Sequence, residues 1–326
     1  MSAPEVPVAP PADLAVVVVN YNAGEYLARC VTSVVEASGG LALDLLVVDN
    51  ASRDGSARVA AERTPQVRLI DNPTNRGLSA AWNQGARAVD APWILFLNPD
   101  AEIWQGDLGA FVKAGEGRPD VALLGPVIRN PDGTIYESGR AFPVVLQAVG
   151  HAFLGPFAPS NRFTRAYRQT SWDRRTEREV DWVSGAAMLI RRSAFEQVGA
   201  FDEAFSLYGE ELDLCTRLRD AGWKVLATPE LEVLHEGGVS TGRSRRTHLM
   251  HSQSIYRYYR KHRATGWRRA TLPLAWAALR ARAELVALRH RVVARREPGG
   301  RFVVGDVVVP EDPANAVTPI DWDQRI

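Results

Sequence analysis

Three apolar runs that break abruptly into polar residues constrain this chain more than anything else in it. Leu14–Val19 ends in Asn20-Tyr21-Asn22, Leu43–Val48 in Asp49-Asn50, and Trp93–Leu97 in Asn98-Pro99-Asp100. None alternates apolar with polar, so each predicted strand is buried on both faces, as in a parallel sheet covered by helices. Segments of helical period stand between them. Leu27, Val31, Val34 and Val35 lie on one face of a helix over 24–38, closed by Gly39-Gly40. A short helix follows Asp54-Gly55-Ser56 to Arg63, a strand covers Val67–Ile70, and a helix spans Leu78–Val89. Strand and helix in turn predict an α/β fold with right-handed crossovers. Ligands in such sheets sit beyond the carboxyl ends of the strands. The polar breaks therefore mark the expected site.

Further along, the pattern predicts a helix at Leu108–Ala114, strands at Val121–Ile128 and Asp181–Ile190, and helices at Ser193–Val198 and Glu210–Ala221. Short strands are expected at Trp223–Ala227 and Leu231–Leu234. Residues 143–178, rich in Arg, Pro and aromatics with weak periodicity, read as an insertion. Residues 1–12 read as a disordered Pro-rich tail, 13–242 as the main domain, 243–298 as a basic helical region and 299–326 as a tail with a short strand at Phe302–Val309. In the basic region, helices are predicted at Thr247–His262 and Leu274–Arg295. The second carries two narrow apolar stripes, Trp276/Leu279/Val286 and Leu274/Leu285/Leu288/Val292, with arginines between.

Charge is distributed unevenly. The net charge is +1, yet Arg243–Arg301 holds 16 of the 39 basic residues and only 2 of the 38 acidic ones. Such asymmetry points to an anionic partner at the basic end. Its aromatics (Tyr256, Tyr258, Tyr259, Trp267, Trp276) suit a membrane surface better than nucleic acid. Two cysteines, Cys30 and Cys215, make no disulfide framework and fit a reducing compartment. No signal-peptide order and no apolar run long enough to span a bilayer occurs.

Several polar groups suggest chemistry. Asn98 and Asp100, spaced i, i+2 about a rigid Pro99, offer oxygens to a hard divalent cation, although the triplet also suits a plain turn. Asp49 can accept from a nucleobase or a ribose, or simply cap a turn with Ser52. Glu210, Glu211 and Asp213 crowd the start of one helix, where the dipole favours acids in any case and where one can act as a general base. His235 follows a short apolar run and with Asp100 makes a mixed N/O metal pair. The absence of G-x-G-x-x-G and Walker sequences argues against dinucleotide cofactors and P-loop chemistry. A nucleotidyltransferase needs a basic, Gly-rich loop after the first strand, which Tyr21-Asn22-Ala23-Gly24-Glu25 lacks.

In chain order, VVVVNYN, LLVVDNAS, NRGLSAAWNQG, FLNPDAE, WVSGAAMLIRR, FDEAFSLYGEELDLCTRLRDAG and VLHEGG resemble the family 2 inverting glycosyltransferases of GT-A fold, over Leu14 to Tyr259. Within that family the chain is most similar to bacterial rhamnosyltransferases that act on polyprenyl-diphospho-N-acetylglucosamine. The resemblance implies a mostly parallel GT-A sheet flanked by helices. It places Asn20 and Asn22 beside the nucleotide, Asp49 on the base, and Arg76, Gly77, Asn83 and Asn98 along the diphosphate and sugar. Asp100 and His235 become ligands of Mg²⁺ or Mn²⁺, while Trp182, Ser184 and Gly185 floor the acceptor side. Glu211 becomes the base, with Glu210 and Asp213 as alternates, because Glu stands where the family has Asp. Asn98 departs too, replacing the first Asp of the family's D-x-D. The implied donor is dTDP-L-rhamnose, with a UDP-linked galactofuranose or hexose as the alternative. The implied acceptor is a polyprenyl-diphosphate-linked sugar, met at the cytoplasmic face of the plasma membrane by a peripheral enzyme. The striped helix leaves room for a homodimer, and no nucleic-acid partner is expected.

Overall fold

The computed structural model describes residues 12–142, 165, 172–238 and 245–294. Residues 1–11, most of the expected insertion and the expected strand at Phe302–Val309 lie outside the described residues. Strands β1 (Leu14–Asn20), β2 (Leu43–Asp49), β3 (Arg68–Asp71) and β4 (Trp93–Leu97) form a parallel block in the order β3-β2-β1-β4. Helices α1 (Glu25–Glu36), α2 (Ser56–Arg63) and α3 (Leu78–Ala88) make the crossovers. Each β1 residue is buried because the strand serves two cores. Leu14, Val16 and Val18 face Leu27, Val31 and Val34 of α1, whereas Ala15, Val17 and Val19 share a core with Ala81, Trp82 and Ala86 of α3. Full burial of each such aliphatic side chain contributes about 2 kcal/mol. At Gly85 a Cβ would stand 2.4 Å from Val17 Cγ1, so only glycine lets α3 lie this close to the sheet.

Beyond β4 the sheet is mixed. The further elements are β5 (Ala101–Gly106), α4 (Leu108–Glu116), β6 (Val121–Arg129), β7 (Ile135–Tyr136), β8 (Arg178–Val180), β9 (Ala187–Arg191), α5 (Arg192–Gln197), α6 (Glu210–Asp220) and β10 (Lys224–His235). The order continues β4-β9-β6-β10-β5, with β9 antiparallel to both neighbours and β10 parallel to β6 but antiparallel to β5. Three sequence expectations change here. The strand expected over Asp181–Ile190 is only Ala187–Arg191, and the residues before it form the loop bearing Trp182, Ser184 and Gly185. The two short strands near 223–234 are one, β10, whose pairing with β6 shifts register between Ala227 and Glu232, where Pro229 has no N–H to give. β5, half exposed and polar, has no apolar run to announce it.

After the main sheet, α7 (Arg245–His262) packs on α6 with Tyr258 buried, a 3₁₀ turn spans Gly266–Thr271, and α8 (Leu272–Ala294) packs back on α7. Of the two predicted stripes of α8, Trp276, Leu279 and Val286 are partly covered, while Leu274 and Leu285 face outward. Among the described residues, no helix is long and apolar enough to cross a membrane.

Candidate active site

Antiparallel pairing of β5 with β10 brings two distant segments together. His235 lies opposite Ala101, so its ring reaches the turn that closes β4. His235 Nε2 stands 3.3 Å from Asp100 Oδ1 and 3.3 Å from Asn98 Nδ2. The turn is braced from behind, since Ala101 N–H donates to Asn98 O at 3.1 Å and Glu236 N–H to Asp100 O at 3.1 Å. Asp100 is buried, with little of its carboxylate left to water. Among the described residues no three His, Cys, Asp or Glu side chains gather to hold a metal. Asp100 and His235 make a pair with a neighbouring amide instead.

The loop ahead of β9 joins this turn to α6. Asn98 N–H donates to Ala186 O at 2.9 Å. The next residue back, Gly185, faces α6: a Cβ there would meet Glu211 Cδ at 3.8 Å and Trp82 at 3.7 Å. Glu211 and the Asn98–Asp100 turn therefore flank a single loop. Burial raises the Glu211 carboxyl above its ordinary value, opposed by backbone N–H groups and the Arg140 charge. Its Oε2 is buried and finds no hydrogen-bond partner among the described residues. Glu210 is buried more deeply. Burial and the adjacent Glu211 charge push its carboxyl well up.

Asp213 has a different environment. It is fully buried, with His262 Nε2 at 2.7 Å, Lys261 Nζ at 2.7 Å and the Arg217 guanidinium at 2.8 Å. Burial alone pushes this carboxyl up, but the His262 hydrogen bond, Arg217 and Lys261 outweigh it and hold it down to about 2. Such an acid is a poor base and a strong tie between α6 and α7. A carboxyl depressed in the folded state stabilises above its unfolded value and loses that contribution as pH falls through the folded one. The Asp213→Asn variant is expected to lose about 3 kcal/mol in urea unfolding at neutral pH. Its deficit relative to wild type should shrink as pH falls from about 4 to about 2.

At the other end of the rim, Asn20 Nδ2 contacts Asp49 Oδ1 at 2.6 Å, Ser52 Oγ at 3.0 Å and Ser56 Oγ at 2.8 Å. Ser52 N–H donates to the second Asp49 oxygen at 3.0 Å. Asn22, at φ 50°, accepts from Arg53 N–H at 2.8 Å. Asp49 is thus both a turn cap and an acid at the strand end. Arg76 projects outward, and its N–H donates to Asn50 Oδ1 at 2.9 Å. Gly77 has φ 81° and a Cβ there would meet Ser206 O at 3.1 Å, which ties the start of α3 to the loop ahead of α6.

Asn83, expected along the diphosphate and sugar, has partners of its own. Its Nδ2 donates to Phe201 O at 2.9 Å and its Oδ1 accepts from Phe201 N–H at 3.0 Å, so the amide is spent on a buried backbone clip. Asn83→Ala should cost about 2 kcal/mol of stability by orphaning those groups, with little change in substrate KM. Thermal unfolding and steady-state kinetics check both parts.

On the acceptor side, Trp182 Nε1 donates to Ala141 O at 3.1 Å and Ser184 N–H to Ser138 Oγ at 3.1 Å. Arg140, which the sequence pattern did not reveal, stacks 5.0 Å above the Trp182 ring. Its sole sequence signal is Gly139 before it, just ahead of the expected insertion. Asn50, part of the polar break after the second apolar run, has a role that the break alone does not specify. It holds the 75–77 loop through Asn75 Oδ1 at 2.9 Å and the Arg76 N–H, and its one cue was its place directly after Asp49.

The chain is similar to known proteins in sequence and in fold. The family described as Glycosyl transferase family 2 matches residues 15–199. An N-acetylglucosaminyl-diphospho-decaprenol L-rhamnosyltransferase of Mycobacterium tuberculosis is 41% identical over 275 residues, 81% of this chain and 88% of that one. The rhamnosyltransferase WbbL of Escherichia coli is 29% identical over 49% of this chain and 59% of its own. Among solved structures, a Pyrobaculum calidifontis mannosyltransferase in complex with GDP-Man and Mn²⁺ superposes with TM-score 0.55 at 17% identity, covering 91% of this chain and 79% of that one. At that identity the likeness is one of fold.

Proposed function

The chain belongs to glycosyl transferase family 2, and from that premise we propose that it transfers L-rhamnose from dTDP-L-rhamnose, with inversion, to the N-acetylglucosamine of a polyprenyl-diphosphate-linked acceptor. The observation that carries the reading is the single loop, Gly185-Ala186, flanked by the buried Glu211 carboxyl on one side and the Asn98-Asp100-His235 cluster on the other. The substrates follow the name of the 41% identical relative, which this chain matches over most of both lengths.

Each residue has a task in this reading. Asn20, Asn22 and Asp49 receive the nucleoside, Asp49 offering a carboxylate already oriented by Asn20 and the Ser52 N–H. Gly77 and Arg76 border the diphosphate, with Asn98 steadying the His235 ring. Asp100 Oδ1 and His235 Nε2 suit a divalent ion, being one hard oxygen and one imidazole nitrogen on a braced turn. Such an ion supplies charge neutralisation for the leaving diphosphate. Trp182, Ser184 and Gly185 shape the acceptor floor, and Gly185 leaves room beside Glu211 for a sugar hydroxyl. Glu211 removes the proton from that hydroxyl as it attacks the anomeric carbon from the face opposite the diphosphate. Its raised pKa makes it a better base than an exposed carboxylate. Burial and the Glu211 charge disfavour ionisation of Glu210, so Glu211 is the readier of the two to carry the charge. A lipid-linked acceptor and the basic C-terminal region together suit a peripheral enzyme at the cytoplasmic face of the plasma membrane.

A donor screen tests the reading. Purified full chain is offered dTDP-L-rhamnose, UDP-galactofuranose and UDP-glucose with polyprenyl-diphospho-N-acetylglucosamine, and products are identified by mass. Rhamnosyl product from the first donor alone is expected. Turnover only with a UDP donor would overturn the sugar assignment.

A further inference from the structure

We propose that the outward stripe of α8 together with the preceding 3₁₀ turn is a docking surface for an anionic lipid bilayer. This deepens the reading above, on which it rests only for the reason a membrane is nearby. Leu274, Ala277, Ala281 and Leu285 recur at spacings of three and four, so they share one helix face, and all four are exposed. Leu274 is 73% and Leu285 62% exposed. Trp267, in the 3₁₀ turn directly before α8, is 78% exposed, the highest value among the large hydrophobic side chains of the described residues. The opposite face of α8 has its partner already, since Ala283 is fully buried and Trp276, Leu279 and Val286 are partly covered. The stripe is thus surplus to the packing of the described residues, and a run of exposed apolar groups marks an interaction surface.

Charge identifies the occupant. Arg268 and Arg269 directly follow Trp267, and Arg280 borders the stripe, with its guanidinium 5.2 Å from the Trp276 ring. From Gly266 to Val286 the sole acid is Glu284. A second copy related by a two-fold axis would set this patch against itself, arginines against arginines. Anionic headgroups neutralise them instead, while Trp267 enters the headgroup level and the leucines the acyl boundary. The helix is too charged to span, so it lies in the surface plane.

This surface is joined rigidly to the chemistry. Tyr258 Oη lies 3.1 Å from Thr216 Oγ1 and His262 Nε2 lies 2.7 Å from Asp213 Oδ1, which bolts α7, the partner of α8, to the helix that begins at Glu210. Docking therefore sets the height of Glu211 above the bilayer, as a lipid-tethered sugar requires.

The test is co-sedimentation of the full chain with vesicles of phosphatidylcholine, with and without phosphatidylglycerol, at low salt. Binding to the anionic vesicles alone is expected. A variant combining Trp267→Ser, Leu274→Ser and Leu285→Ser should bind about tenfold more weakly, and Arg268→Glu with Arg269→Glu at least as weakly. Both variants should transfer sugar to a short, water-soluble acceptor analogue at the wild-type rate, which shows that the fold and site are intact. Wild-type chain that stays in the supernatant, or a triple variant that binds as well as wild type, overturns the proposal. So does a wild-type dimer that the triple variant abolishes, because the stripe then belongs to a second copy. Loss of wild-type transfer to the soluble acceptor would fault the functional reading and leave the vesicle result standing.

Discussion

Glu211→Gln is expected to lower kcat by about 10³-fold or more while leaving nucleotide-sugar affinity within about twofold, the signature of a lost general base. The change is nearly isosteric, and one carboxylate oxygen already lacks a partner among the described residues, so the fold should survive it. Calorimetric titration with the donor nucleotide separates binding from chemistry. Retained turnover in this variant would remove Glu211 from the role. The wild-type pH profile supplies a second check. Burial raises the Glu211 carboxyl, and a base works only after losing its proton. Activity should therefore fall as pH drops through a value above the ordinary carboxylate range. Glu210→Gln should behave differently, keeping transfer with that limb little moved, because the amide replaces a carboxyl whose ionisation burial and the Glu211 charge already disfavour.

The second large effect is expected at Asp100. Asp100→Ala should reduce transfer by about 10²-fold or more and weaken Mn²⁺ binding, since it removes the carboxylate 3.3 Å from His235 Nε2. Wild-type enzyme in excess EDTA should fall to the level of the variant and recover on adding Mg²⁺ or Mn²⁺. Full activity in EDTA would show that charge on the leaving diphosphate is neutralised by the protein alone. Asn98 adds a subtler comparison. It supplies an amide at 3.3 Å from the same ring nitrogen, so Asn98→Asp should tighten metal binding by adding a second carboxylate to the turn.

Much of this site was legible as local pattern. The polar breaks after Val19, Val48 and Leu97 do end parallel strands on one rim, because an unbroken β-branched and apolar run is buried wherever it goes. The three acids at the start of α6, by contrast, could not be separated by sequence. Glu210, Glu211 and Asp213 all sit in the first turn of α6, where each residue is rotated about 100° from the next. That rotation buries Glu210, aims Glu211 at Gly185 and drives Asp213 into Lys261 and His262 of α7. The family resemblance puts Asn83 along the diphosphate and sugar, whereas the fold gives its amide a backbone partner. Its partner, the Phe201 backbone, lies on a segment far along the chain.

Alone, the sequence determined the parallel half of the sheet, its crossover helices and the family, since apolar runs, helical period and short motifs are properties of neighbouring residues. Tertiary structure alone decided which of those polar groups meet. The direction of β9 is invisible in a strand buried on both faces, and the pairing of β5 with β10 joins a half-exposed strand to the far end of the domain. Through those two contacts Asp100 finds His235 and the Asn98 turn reaches the loop that faces Glu211. Both are long-range contacts, and their partners share no local signal.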